Sequence, residues 1–130
     1  MPNPAPGFAK RPDHTVAIHT AQGTLVVELD SVSPRIAKST SVLALEEASY
    51  PTVYYIPLAD LNTDVIVASD TETYCPFKGH ASYYHIQTAT GLLEDAVWSY
   101  RDPYDECQQI KDYVAFYPNK VNITFIDQRP

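Results

Sequence analysis

Apolar and polar residues along this chain alternate over short stretches rather than recurring every three or four positions. Thr15 to Thr20 sets Val16 and Ile18 on one side, and Thr24 to Leu29 resumes as TLVVEL after Ala21-Gln22-Gly23. Two such runs joined by a short turn predict a hairpin. Arg35 to Glu47 carries two signals. Ile36, Leu43 and Glu47 fit one face of a helix, while the Ser, Thr and Val residues from Ser39 to Val42 favour extended backbone, and strand is the reading adopted. Val53-Tyr54-Tyr55-Ile56 is a strand by composition, closed by Pro57, and Asp60-Leu61-Asn62 reads as a local turn. Val65 to Val67 is a short apolar strand, after which Ser69 to Gly79 reads as a long polar connection. Loops of that length inside a compact domain are often functional. Ala81 to Thr88 and Glu94 to Tyr100 are strands on either side of a turn at Gly91. One helix is signalled near residues 103–112, with Asp102 as N-cap, Pro103 in the first helical position, and Asp105 and Glu106 at the positive end of the dipole. Val114 to Tyr117 and Val121 to Phe125 close the chain around Pro118-Asn119.

Strands at intervals of roughly 8 to 12 residues with one brief helix predict an all-β fold, a small sandwich or barrel-like domain. Residues 1–13 hold three prolines before Lys10 and little to bury beyond Phe8, so they read as a flexible N-terminal arm, with 14–130 as a single globular domain. The formal charge of −7 repels phosphate backbones and anionic lipid surfaces, so neither nucleic acid nor membrane is an expected partner. Two cysteines, Cys75 and Cys107, make no disulfide framework of the secreted type. The N-terminal segment lacks the apolar run of a signal peptide and no stretch is long enough to span a bilayer, so a cytoplasmic location with reduced thiols is expected.

Charge and aromatic type single out one segment. Of fifteen aromatic residues ten are Tyr, whose hydroxyls want partners when buried. Between Ser39 and Tyr100 the only base is Lys78, inside Thr73-Tyr74-Cys75-Pro76-Phe77-Lys78-Gly79. An ammonium near a cysteine stabilises the thiolate, so Cys75 and Lys78 are candidates for a reactive thiol, or Lys78 with backbone donors around Gly79 for an anion site. The opposing reading makes Cys75 a buried small hydrophobe and Lys78 a neutraliser of nearby carboxylates. Glu47 and Asp60 are candidate proton donors or acceptors if buried beside Tyr54 or Tyr55, and Tyr83, Tyr84, Trp98 and Tyr100 are candidate walls of an aromatic pocket. His80 and His85 lie five residues apart and so on opposite strand faces, which does not assemble a metal site, and no metal ligand is assigned. The common catalytic signatures for nucleophile elbows, P-loops and zinc hydrolases are missing.

The segments PTVYYIPLADL (51–61), TYCPFKGHASYY (73–84), AVWSY (96–100) and YVAFYPNKV (113–121) stand in an order that resembles the bacterial family catalogued as domain of unknown function 427, also filed under a nucleotidyltransferase heading. The resemblance covers about residues 15 to 122 and implies a compact, largely β domain. It places the family's signature on Ser39, Glu47, Tyr54, Tyr55, Pro57 and Asp60, then on Thr73, Cys75, Pro76, Lys78, Gly79 and Tyr83, and finally on Trp98, Tyr100, Ala115 and Phe116. Phe77 departs from the pattern, which usually has Tyr there. The heading implies no mechanism for this chain, which lacks the Gly-Ser dipeptide of nucleotidyltransferases; Glu28-x-Asp30 and Asp70-x-Glu72 are its nearest acidic pairs. The expected function is binding of a small anionic or polar ligand in an aromatic pocket around the CPFKG loop, with enzymatic activity open and no cofactor named. The catalytic candidates are Cys75, Lys78, Asp60 and Glu47, and the ligand-binding candidates Tyr54, Tyr55, Thr73, Gly79, Tyr83, Trp98 and Tyr100. A non-catalytic protein-binding module and a nucleotidyltransferase are the alternatives.

Overall fold

A computed structural model describes residues 2–128, so Met1 of the expected arm and Arg129 and Pro130 of the expected domain lie outside the described residues. The chain folds as two antiparallel sheets. Its strands are β1 (Val16–Ala21), β2 (Gly23–Glu28), β3 (Ala37–Ser39), β4 (Val42–Glu47), β5 (Val53–Pro57), β6 (Ile66–Cys75), β7 (Gly79–Thr88), β8 (Gly91–Tyr100), β9 (Tyr113–Phe116) and β10 (Asn122–Asp127). Seven form one sheet in the order β1-β4-β5-β9-β8-β7-β6, and three form the other in the order β10-β2-β3. The all-β single domain read from the alternation is therefore the fold, and Arg35 to Glu47 is extended, as β3 and β4. Among the described residues no helix is long and apolar enough to cross a membrane.

The large sheet buries side chains on both faces. On one face Val42, Ile56, Val97, Val114 and Phe116 pack with Leu25 and Val27 of the three-stranded sheet and with Ile36. On the other face Leu45, Tyr55, Ala81, Tyr83, Tyr100 and Ala115 pack with Cys107 and Ile110. The period of two along a strand divides neighbours between these faces, so Tyr54 and Tyr55, adjacent in sequence, enter different cores.

Four local expectations are corrected. β1 does not form a hairpin with β2: it pairs with β4, and β2 pairs with β3 and β10. The chain changes sheets at Gln22-Gly23, where a Cβ on Gly23 would collide with the Ile126 carbonyl and the Phe125 ring. Of the polar connection expected at Ser69 to Gly79, Ser69 to Cys75 is instead the outer part of β6, whose register shifts between Ala68 and Glu72, and only Pro76 to Lys78 form a turn before β7. An edge strand solvated on most positions loses the apolar alternation that marks it in sequence. The helix near 103–112 is a short 3-10 segment, Asp105–Ile110, entered from Tyr104 rather than capped by Asp102. Finally, the N-terminal segment has more to bury than its prolines suggest. Gly7–Lys10 forms a helical turn, Ala5 and Gly7 are buried, and the Asn3 and Ala5 N–H groups donate to the carboxylates of Asp105 (2.7 Å) and Glu106 (2.8 Å).

Candidate functional site

The site starts from the turn that joins β6 to β7. Pro76 to Lys78 reverse the chain, and Gly79 takes a φ of +118°, open to glycine and strained for other residues. The N-terminal segment clamps this turn. Gly7 N–H donates to the Pro76 carbonyl at 2.9 Å, and a Cβ on Gly7 would stand 2.7 Å from the Phe77 ring. Phe77 also stacks on His14 with ring centroids 3.8 Å apart and meets the edge of Phe8. Held this way, the buried Lys78 points its ammonium at the carboxylate of Glu47, the last residue of β4, and donates to Oε1. The other oxygen of Glu47, Oε2, bonds His14 Nε2 at 2.8 Å. Ala48, immediately after Glu47, sits in the left-handed region at φ 48° and starts the turn to Tyr50 and Pro51.

Burial alone would push the Glu47 carboxyl up, but the bonds and charges of Lys78 and then His14 outweigh it and hold the carboxyl below its ordinary value. The result is an ion pair with side chains only 10% (Lys78) and 17% (Glu47) exposed. Lys78 has three N–H bonds, and the one given to Glu47 leaves donors for a ligand or water.

Around this pair the second core opens into a cavity of about 270 Å³. Tyr55, Tyr83, Tyr100 and Trp98 line it with Lys78 and Glu47, and Tyr50, Pro51, Val53, Leu45 and Tyr117 complete the wall. Two of the hydroxyls have fixed partners: Trp98 Nε1 donates to Tyr55 Oη at 3.1 Å, and Tyr83 Oη bonds Thr73 Oγ1 at 2.8 Å. Burial raises the Tyr55 and Tyr100 hydroxyls far above the ordinary tyrosine value and, with a bond to Tyr83, carries Tyr117 to about 12. These phenols stay neutral, so the walls offer donors and acceptors without adding charge.

Of the predicted residues, Lys78, Glu47, Tyr55, Tyr83, Trp98 and Tyr100 converge on this cavity, although a larger depression of about 430 Å³ lies beside His19, Gln22 and Glu46. Thr73 supports the wall through Tyr83, and Gly79 shapes the turn. The others are placed elsewhere. Tyr54 faces the opposite core, stacked on Phe125, and Tyr84 lies in that core too. Asp60 accepts a hydrogen bond from Ser39 at 2.5 Å, away from the cavity. Cys75 packs against the second core without lining the cavity, and the ammonium expected to activate it is turned to Glu47. Cys107, also a free thiol, is pushed up to about 11 by burial. Sequence reasoning missed His14, Tyr50 and Tyr117. His14 reaches Glu47 across 33 positions with no local pattern to announce it, whereas Tyr117 follows Ala115 at the period of two and was legible as a same-face residue. Among the described residues no group of three or more His, Cys, Asp or Glu is placed to hold a metal ion.

The family model described as Domain of unknown function (DUF427), under the heading NTP_transf_9, matches residues 17–127. The chain belongs to this family. Its description states no activity, so it adds no reaction to the geometry above. A search of curated proteins finds no match to the chain.

Proposed function

We propose that this domain binds a small uncharged or zwitterionic polar molecule in the cavity at Lys78 and Glu47. The observation that carries this reading is the convergence of a buried ion pair, five tyrosines and Trp98 on one concave space of about 270 Å³. Pockets for drug-sized ligands run from about 300 Å³ upward, so a metabolite-sized group suits this volume. Because Lys78 is already compensated by Glu47, a simple anion gains little net charge there. A group with an acceptor beside a donor, such as a primary amide, complements both partners: its carbonyl accepts from Lys78 while its N–H donates to Glu47. This narrows the anionic-or-polar ligand expected from sequence toward the neutral end.

The family heading keeps nucleotidyl transfer as a second reading. The acidic residues Glu28, Asp30, Asp70 and Glu72 that it would call on do not line this cavity. Thermal unfolding with acetamide, glycinamide, acetate, phosphate and ATP with Mg²⁺ separates the two. A ligand present at ten times its Kd stabilises by about 1.4 kcal/mol. We expect the amides to raise the melting temperature of the natural chain and not of Lys78→Met. A rise with ATP and Mg²⁺ alone, unaffected by Lys78→Met, would overturn the binding reading in favour of the heading.

A further inference from the structure

The polar cavity has a neighbour on the other side of the sheet. β5 is paired with β9 only at Ile56↔Val114 and Pro57↔Tyr113, while β9 stays paired with β8 as far as Phe116. Beyond Ile56 the two strands therefore part, leaving a fork at the Val53 end. A second cavity of about 420 Å³ occupies it, walled by Leu25, Tyr54, Phe116 and Ile123. Tyr50, Pro51, Val53 and Trp98 line both spaces. Trp98 stands at the divide, its indole N–H bonded to Tyr55 on the polar side and its ring forming part of the apolar wall.

We propose that the fork joins the two cavities into one two-part site, whose ligand carries a polar head on Lys78 and Glu47 and a flexible apolar arm between Trp98 and Ile123. The inference rests on the reading of the polar cavity given above and adds the chemical class of the ligand: a small amphiphile with an amide-like head and an alkyl or single-ring aryl arm. Two features support the continuity. The β5–β9 ladder ends at Ile56↔Val114, so no strand pairing between β5 and β9 has to break to link the spaces at the Val53 end. The alternation along β5 also gives the two halves opposite character, with Tyr55 facing the polar head and Tyr54 the arm. Apolar arms gain affinity with each methylene removed from water, so affinity should climb with arm length until the second cavity is full.

Trp98 is the single tryptophan of the chain, so its indole N–H resonance is assigned without ambiguity. Titration of the labelled full chain with acetamide, butyramide and 3-phenylpropanamide, followed by two-dimensional NMR, tests the proposal. We expect all three to shift the Trp98 indole signal and 3-phenylpropanamide to bind at least tenfold more tightly than acetamide. Ile123→Phe, which fills only the apolar cavity, should abolish that gain while acetamide affinity is retained. The wild-type series stands without the variant if the variant fails to fold. Equal affinities across the series would overturn the two-part site and leave the polar cavity standing. If none of the amides perturbs residues of the polar cavity, the underlying reading fails and this one with it. If 3-phenylpropanamide binds but acetamide does not compete with it, the two cavities are separate and the proposal is overturned.

Discussion

Glu47 gathers three parts of the chain, through Lys78 on one oxygen and His14 on the other. Removing one member of a largely buried ion pair strands the other, at a cost of about 2–4 kcal/mol, between surface and fully buried values. Glu47→Gln and Lys78→Met should each lower the urea midpoint by that order, and the double variant should cost less than their sum. Additive losses would mean the two groups are not coupled. A carboxyl held low when folded contributes stability that is whole above its ordinary value of 4.5 and fades as pH falls through the folded value. Wild-type stability should therefore fall more steeply in acid than that of Glu47→Gln. The tyrosines act at the other end of the scale. Tyr55 and Tyr100 are held above the ordinary value of 10.0 by burial, so the stability from keeping them neutral is whole below that pH and is lost as pH rises. Tyrosinate absorbance at high pH should thus appear in two stages, exposed residues first and the buried pair only with unfolding. A single smooth titration of all ten while circular dichroism stays native would contradict their burial. Lys78 was legible in the sequence as the lone base of an acidic stretch. Its partner was legible only as one acid among many, because pairing across 31 positions leaves no spacing to read.

The elements that hold this pair are small and depend on two glycines. Gly7 fits under Phe77 only because it has no side chain, so Gly7→Val should detach the N-terminal turn from the 76–78 turn at a cost of roughly 1–3 kcal/mol. Protease cleavage before His14 should become faster; unchanged cleavage would mean the clamp does not hold. Gly79→Ala meets no close atom, the nearest being the Asp102 carbonyl at 3.4 Å, so its expected cost of about 1–3 kcal/mol comes from the backbone angle alone. Strand content was readable wherever one face was apolar, as in β5, β7 and β8. It was not readable in outer β6, where Asp70, Thr71, Glu72, Thr73 and Tyr74 are all exposed, nor in the Pro-rich N-terminal segment, whose anchoring comes from main-chain bonds and one absent side chain.

At the scale of the whole molecule, the large sheet is shared between two cores, and the polar cavity belongs to the one that the small sheet does not cover. The fold class followed from strand spacing, but the partition of strands between sheets did not: β1 and β2 are consecutive and nearly contiguous, yet they separate because β10, at the far end of the chain, takes the place beside β2. The same partition sorts the tyrosines. Tyr54 and Tyr84 go to the first core, whereas Tyr55, Tyr83 and Tyr100 surround Lys78, so an excess of hydroxyls becomes the lining of one site. The most direct test of that central claim is a crystal of the full chain soaked with acetamide and 3-phenylpropanamide. The predicted result is density for the amide group within hydrogen-bond distance of both Lys78 Nζ and the Glu47 carboxylate, with Tyr55, Tyr83 and Trp98 around it. Amide density found only at other surface positions, with the cavity at Lys78 filled by side chains, would contradict it.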